Sequence, residues 1–598
     1  MKQLCSFLLL LAAALLPFDG SAAPVTVSRA QARAVAFFAQ SAATRTTPQL
    51  RLVWDGETAR TRSSAEPALY VFNRTDAPGF VIVAGDDAAA PVLGYSFENR
   101  FGDVNRMPAN LRYWLEGMRD MILDARAQGL SADAAWSAPS KASTPVRELH
   151  TALWDQGLPY NGECPILPNG TERAVTGCIQ TAEAIVMKYH RWPQSVNKTL
   201  PTYKTKTLGQ TIPSRTMGSF DYDLLPDVYD ANATEAQRKE VARLMADLGV
   251  LNQANYNYSK NGGTGAYSTD QYTGLVTVLG YDKSATLENR PGYSDAEWIE
   301  LLRKEIAENR PVLYSGSGQE GGHAFVLDGS SDGPEFYFNW GWSGSGNGWY
   351  SVAAVGSNHP FPQGQDAIIG LKPDPNGTSQ HADKLVIGAQ GEYAGLISGT
   401  DRIVANTPFT VAQFGYVWNM GATTYDGKIA LAVYAADGTQ KEFVRMTVGG
   451  QQATEIAYSV PAGRGKAYNA LTCQIAGPIR PGDRIVGAFW NRSAKRWERM
   501  RAYTEATSAE ILLMAEALNA EAIAAATSLA YERTGKKITL QTIADLKCRI
   551  TDGSGAVKYD ATTSDAAVTI DASKWAAGTY TLTLTADGGA PYTLRLVL

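Results

Sequence analysis

Thr176-Gly177-Cys178-Ile179-Gln180-Thr181-Ala182 is a small-residue turn followed by a cysteine and the start of a helical pattern. Ile179, Ala182, Ile185, Val186 and Tyr189 recur at spacings of three and four, the apolar face of an amphipathic helix. Thr176 is the expected N-cap, which puts Cys178 in the first turn. Free backbone N–H groups and the positive end of the helix dipole lie there, and both favour an anion. A thiol so placed loses its proton more readily and becomes a nucleophile. The plainer alternative is a small buried core residue, the state of most free cysteines.

Outward from Cys178, a thiol nucleophile needs a base, and the chain offers five histidines. His190 is on the same helix, roughly 18 Å away at about 1.5 Å per residue, and is out of reach. His150, His359 and His381 fall in polar or boundary stretches. His323 follows Gly321-Gly322 and opens the apolar strand Ala324-Phe325-Val326-Leu327. Glycines beside a strand end let other backbone approach closely. The next strand, Glu335 to Trp340, is joined to it by the turn-rich Gly329–Pro334. Folding about residue 331 would set His323 opposite Asn339, whose amide would hold the ring as the third member of a triad does. Trp340 would face away, or shield the pair. Backbone N–H of Cys178 and the side chain of Gln156 are the candidate oxyanion donors.

The rest of the chain bounds what such a site serves. Length predicts about four domains. A net charge of −5 on 598 residues indicates neither nucleic acid nor a membrane surface. Cys5, Cys164, Cys178, Cys473 and Cys548 form no CxxC pair, so neither a zinc knuckle nor a disulfide framework is expected. Lys2, the apolar run Phe7–Leu16 and the small residues Gly20–Ala23 read as a secretory signal, 1–23, cut near Ala22 or Ala23. The run is too short to span a membrane. Helical Ser28–Phe38 and Leu111–Ala127 enclose the strand-like Ala68–Phe72 and Gly79–Gly85 in a unit placed at 24–141. It ends in the Ala-, Ser- and Pro-rich Ala134–Pro145, an exposed linker containing Lys141 and open to proteolysis. Residues 142–374 put helices first (Cys178 onward, Ala236–Gly249, Asp295–Asn309) and strands later, an α+β arrangement. Short alternating strands then predict a β-sandwich at 384–503, followed at 504–598 by a helical Ser508–Tyr531 and a last β unit.

Taken together, Trp154–Asn161, Thr176–Ala182 with Met187-Lys188-Tyr189-His190, Gly321–Gly329 and Asn339–Trp342 resemble the streptopain family of papain-like cysteine proteases, in that order. Phe220-Asp221-Tyr222 and Leu244–Gly249 extend the resemblance between the motifs. Gly79–Gly85, Leu93-Gly94-Tyr95 and the helix after them look like that family's inhibitory propeptide. The separation of Cys178 from His323, 145 residues, falls in the papain-like range. The resemblance covers roughly 25–374. It implies a papain-like catalytic domain preceded by an α+β pro-domain that inhibits it. The protein would be a secreted zymogen acting on protein and peptide substrates, with no metal or organic cofactor. Cys178 would be the nucleophile, His323 the general base and acid, and Gln156 part of the oxyanion hole. Asn339-Trp340 would lie beside the histidine, one of them orienting it. The activating cut would fall within Ala138–Thr144, after Lys141. In place of streptopain's long glycine-rich loop this chain has the shorter Val355–Gly364. The final strands, with Ala577–Tyr580 and a Leu-Arg-Leu-Val-Leu end, are weakly similar to C-terminal sorting domains of exported bacterial proteins.

Two other functions use the same residues differently. A papain-like amidase or cell-wall hydrolase needs the same nucleophile and base. A non-enzymatic adhesin would use the β-rich 384–598.

Overall fold

Wholly apolar strands need cover on both faces, and the N-terminal strands have it. The computed structural model describes residues 22–41, 47–55, 67–107, 109–139, 141–318, 321–353, 364–391, 394–401, 403–480, 482–504, 507–513, 523–524, 527–532, 536–542, 546–563, 567–585 and 591–598. Strands β1 (Leu50–Trp54), β2 (Leu69–Arg74), β3 (Phe80–Ala84) and β4 (Val92–Ser96) form an antiparallel meander. Helix α1 (Val27–Ser41) lays Ala30, Ala34, Phe37 and Phe38 on the face carrying Tyr70, Phe72, Val81 and Val83. Helix α2 (Ala109–Gln128) covers the face carrying Leu69, Val71, Phe80 and Ile82. The alternation along β2 and β3 therefore feeds two separate cores.

The sheet does not stop at β4. Short β5 (Pro145–Glu148) and helix α3 (Cys178–His190) lead into α4 (Glu235–Leu251), α5 (Ser268–Thr277) and β6 (Thr286–Asn289). Then come α6 (Asp295–Ala307), β7 (Val312–Gly318), β8 (Gly321–Ser331), β9 (Glu335–Asn339), β10 (Gly348–Ser351) and β11 (Asp366–Ile369). One 11-stranded sheet runs β1-β2-β3-β4-β10-β9-β8-β7-β11-β6, with β5 on β8. The join is Trp349 to Tyr95 and Tyr350 to Gly94. Helix α2 lies against that join and shares one core with α6 and the inner faces of β7 to β10. A second core, around α3, α4 and α5, holds up the other side of the catalytic region.

Helix starts follow the expected chemistry at α4 and α6. Thr234 with Gln237, and Ser294 with Glu297, form full capping boxes. Gly249, where a stop was expected, is inside α4, which runs on to Leu251. A Cβ at Gly249 would lie 1.9 Å from the Tyr256 hydroxyl, so packing, not a turn, calls for that glycine.

Beyond residue 384 two sheets of seven and six strands enclose one apolar core, the anticipated sandwich. The helix expected over Ser508–Tyr531 is contradicted at both ends. Glu510–Leu512 is a strand paired with Arg484–Asn491, and Ser528–Glu532 pairs with Lys537–Gln541. Pairing with a ready edge overrides the helix preference of an Ala- and Leu-rich stretch. Most of that stretch's centre, the signal-like residues 1–21 and the loop 354–363 lie outside the described residues. Three- and four-stranded sheets around Ile538, Ile550 and Leu582 close the chain.

Candidate active site

The turn before α3 is closed by Gly177, not Thr176. Gly177 has φ 93°, and a Cβ there would lie 2.7 Å from Gln180 Oε1 and 3.0 Å from the Thr264 carbonyl. The Thr176 hydroxyl pairs with that of Thr181 at 2.8 Å, and the Thr181 hydroxyl also lies 3.0 Å from the Gly177 carbonyl. No side chain caps the helix, so its first N–H groups stay open toward solvent or substrate. Cys178 is the first helical residue and lines a cleft of about 430 Å³ together with His323.

Burial pushes the Cys178 thiol up, while the backbone amides of Ala324, Ile179 and Cys178 itself pull it down. The Ala324 amide belongs to the residue that follows His323, so the thiol sits beside the histidine's own backbone. His323 faces Gly316 across the β7–β8 ladder. Burial lowers its imidazole to about 4. Its ring lies tilted against that of Tyr113 on α2, centroids 5.7 Å apart, and Tyr113 also covers Gly316. Both shifts favour the neutral pair over the thiolate–imidazolium pair.

Asn339 is not opposite His323. The β8–β9 register pairs Val326 with Asn339, three positions from the symmetric fold, and slips again by one between Leu327 and Gly329. The buried Asn339 amide donates to Thr151 Oγ1 and to the Ala152 carbonyl, both at 2.9 Å. Trp340 is packed against Phe325 and Phe338, its indole N–H 3.0 Å from the Gly346 carbonyl. Asn339 thus ties its strand to the Thr151–Ala152 segment that leads into the loop beside the nucleophile, and Trp340 sits in the aromatic core. That loop carries Gln156, which is buried and whose carbonyl accepts from Thr176 N–H at 3.1 Å. The Ser343 hydroxyl, 3.0 Å from the Asp155 carboxylate, ties Asp155 to the loop after Trp342.

The segment expected to be an exposed linker is hydrogen-bonded on both sides of Lys141. Arg33 holds the Ala135 and Ala138 carbonyls, Ala142 N–H donates to Ser41, and Thr144 N–H donates to Asp332 at 2.7 Å. Lys141 itself is exposed. Cys164, Cys473 and Cys548 are buried free thiols pushed up to about 12, 12 and 11 by burial, poor rivals to Cys178.

Sequence reasoning missed Tyr113, Asn110, Met420 and Tyr503. Asn110 donates to the Trp340 carbonyl at 2.6 Å. Tyr113 lies off the Leu111, Trp114, Leu115, Met118 stripe, and an aromatic off the stripe was the available signal. Met420 and Tyr503 line the cleft from a different domain and left no local signal.

A helix-borne thiol beside a strand-borne histidine, across a cleft between a helical and a sheet-based half, defines a papain-like cysteine protease with a segment laid over its histidine. Residues 154–350 match the model of the Peptidase C10 family and residues 22–122 that of the Spi protease inhibitor. Streptopain of Streptococcus pyogenes is 30% identical over 339 residues, 51% of this chain and 81% of that protein. Thiol protease/hemagglutinin PrtT of Porphyromonas gingivalis is 30% identical over 471 residues, 74% of this chain. The match spans only 50% of PrtT's own length. A solved fragment of prointerpain A from Prevotella intermedia is 28% identical, with TM-score 0.45, covering 55% of this chain and 100% of the fragment. The chain belongs to the peptidase C10 family, the cysteine proteases of the streptopain type, with a Spi-type inhibitor domain as its propeptide. Among the described residues no helix is long and apolar enough to cross a membrane.

Proposed function

We propose that this is an exported cysteine endopeptidase made as a zymogen. Cys178 is its nucleophile and His323 its general base and acid. The observation that carries the reading is the Cys178 thiol at an uncapped helix start, in contact with the amide after His323, while an inhibitor-domain tyrosine covers that histidine.

On a peptide substrate the imidazole takes the thiol proton and the thiolate attacks the scissile carbonyl. The carbonyl oxygen becomes an oxyanion, met by Cys178 N–H and by Gln156. His323 then protonates the leaving amine, and water, deprotonated by the same imidazole, releases the acyl group. The ion pair this needs is suppressed while α2 keeps His323 desolvated. Proteolysis after Lys141, within 138–144, would free α2 and rehydrate the imidazole. Strand β5, paired with β8, would remain as the new N-terminal strand. The signal-like 1–23 supports export.

Casein hydrolysis by the full chain and by Cys178→Ala tests this, with and without thiol reductant and the epoxide inhibitor of papain-like enzymes. Activity that needs reductant, disappears with the epoxide and is absent from the variant is expected. Unaided maturation of Cys178→Ala at the wild-type rate would count against self-processing, and casein hydrolysis by that variant against the nucleophile assignment.

A further inference from the structure

The cleft beside Cys178 is not closed by the catalytic domain alone. Its wall includes Ile179, Tyr267 and Leu287 from that domain, and Met420 and Tyr503 from the sandwich. The match to the family model ends at residue 350, so both sandwich residues lie outside it. We propose that the C-terminal sandwich is a working part of the substrate site. In this reading Met420 and Tyr503 form, with Leu287, a subsite that receives a large apolar side chain of the protein substrate. The inference rests on the protease reading above and names what the site selects.

Three observations support it. First, the two residues are held in place rather than left on a tether. Met420 N–H donates to the Lys384 carbonyl at 2.8 Å, and the Lys384 ammonium pairs with the buried carboxylate of Glu288, next to Leu287. Asn419, buried, fixes the same turn through the Thr423 and Val460 carbonyls. On the other side Tyr503 N–H donates to Ile387, and Arg501 stacks 3.8 Å over the Tyr293 ring while donating to the Gly292 carbonyl at 2.5 Å. A Cβ at Gly292 would lie 2.6 Å from Arg501 Cβ, so the two domains meet closely there.

Second, Met420 already packs against the catalytic core around α3 to α5, so its side chain continues that apolar surface into the cleft. Third, the acid lining the cleft has its hydrogen-bonding capacity taken up within the protein. Asp366 accepts from the Ser315 hydroxyl at 2.5 Å and the Ser268 hydroxyl at 2.8 Å. Burial raises it to about 6, and it faces the half-buried Tyr503 phenol, itself raised by burial and then by Asp366. With both carboxylate oxygens engaged, an apolar side chain suits the walls better than a basic one.

The test uses the full chain after maturation, on internally quenched peptides that differ at one position among Ala, Leu, Phe, Lys and Glu, scanned on both sides of the scissile bond. At one position Met420→Ala and Tyr503→Ala should lower kcat/KM for Leu or Phe relative to Ala by about tenfold, mainly through KM. Tyr503→Trp, which adds bulk instead of removing it, should turn the preference toward Ala at that same position. That arm keeps the test sharp if an alanine variant fails to fold. Folded variants whose profiles stay within about twofold of wild type at every position overturn this inference alone. A matured wild type that cleaves no peptide and no casein overturns both it and the protease reading.

Discussion

The catalytic domain is gripped from two sides by its own chain, and the grips are chemically different. The propeptide continues the sheet edge to edge and presses an apolar helix onto it. Trp114 alone meets Phe338 at 4.8 Å and Phe325 at 5.8 Å. The sandwich is held by charges and clamps: Lys384 on Glu288, Arg499 and Arg501 on Glu297 at 3.1 and 3.4 Å, and Arg501 on Tyr293. The first grip ends on His323, the proposed general base, and burial there disfavours its charged form. The second ends on the cleft wall and leaves the base alone. One partner is placed so that its departure matters, the other so that its presence does.

The largest expected effect removes what both partners surround. Cys178→Ala should lower casein hydrolysis by at least about a thousandfold, whichever partner is attached. A variant retaining a tenth of the activity would dissolve the comparison, because the cleft would not be the reactive centre.

Next come the grips themselves. Trp114→Ala removes a fully buried indole from the propeptide contact, a loss of about 3–5 kcal/mol. The expected result is a zymogen whose Cys178 is alkylated by iodoacetamide far faster than in wild type, with thermal unfolding of the sandwich unchanged. Lys384→Met leaves the Glu288 carboxylate buried without its counter-ion, a cost of about 3 kcal/mol or more. It should lower the melting temperature of the matured form and of the zymogen alike, and Lys384→Met with Glu288→Gln should recover much of it. Equal sensitivity of zymogen alkylation to both variants would show that the grips are not separable.

A smaller effect sharpens the silencing argument. Burial holds the Cys178 thiol up and the His323 imidazole down in the zymogen. Alkylation of the zymogen should therefore rise only toward alkaline pH, as for a lone thiol. After maturation a plateau reaching below pH 7 should appear as the ion pair forms. Tyr113→Ala should bring part of that plateau to the zymogen by rehydrating His323.

How much of this was legible in the sequence follows from where each signal resides. Cys178 at a helix start and His323 at a strand start are set by local pattern: a 3.6-residue period, and glycines before an apolar run. The expectation that Asn339 sits directly across from His323 failed because it assumed a symmetric hairpin, and a bulge plus a shifted turn moved the register by three. Period-2 alternation fixes which face a side chain takes but not its partner. Tyr113, Met420 and Tyr503 reach the site through tertiary docking over long sequence separations, which no local window encodes. The strand at Glu510–Leu512 shows the same limit from the other direction, since an available edge decided against local helix preference.

Glu183 is the control for the whole comparison. It lies on α3, five residues on from Cys178, and is fully buried. Burial raises its carboxyl from 4.5 to about 8, opposed by the Asn252 amide that donates to it at 2.5 Å. A carboxyl raised on folding makes the folded state hold its proton longer than the unfolded one. Its contribution to stability is therefore full below pH 4.5 and is lost as pH rises through about 8. Glu183→Gln keeps a hydrogen-bonding group of the same shape and removes the titration. Melting temperatures from pH 5 to pH 9 should accordingly fall less steeply in the variant than in wild type. Because the amide that holds Glu183 comes from Asn252 of the catalytic domain itself, the difference in slope should be the same before and after the propeptide is removed. A slope that changes on maturation would mean that the propeptide reaches through the sheet into the α3 core, and that silencing works on the nucleophile's helix as well as on the histidine.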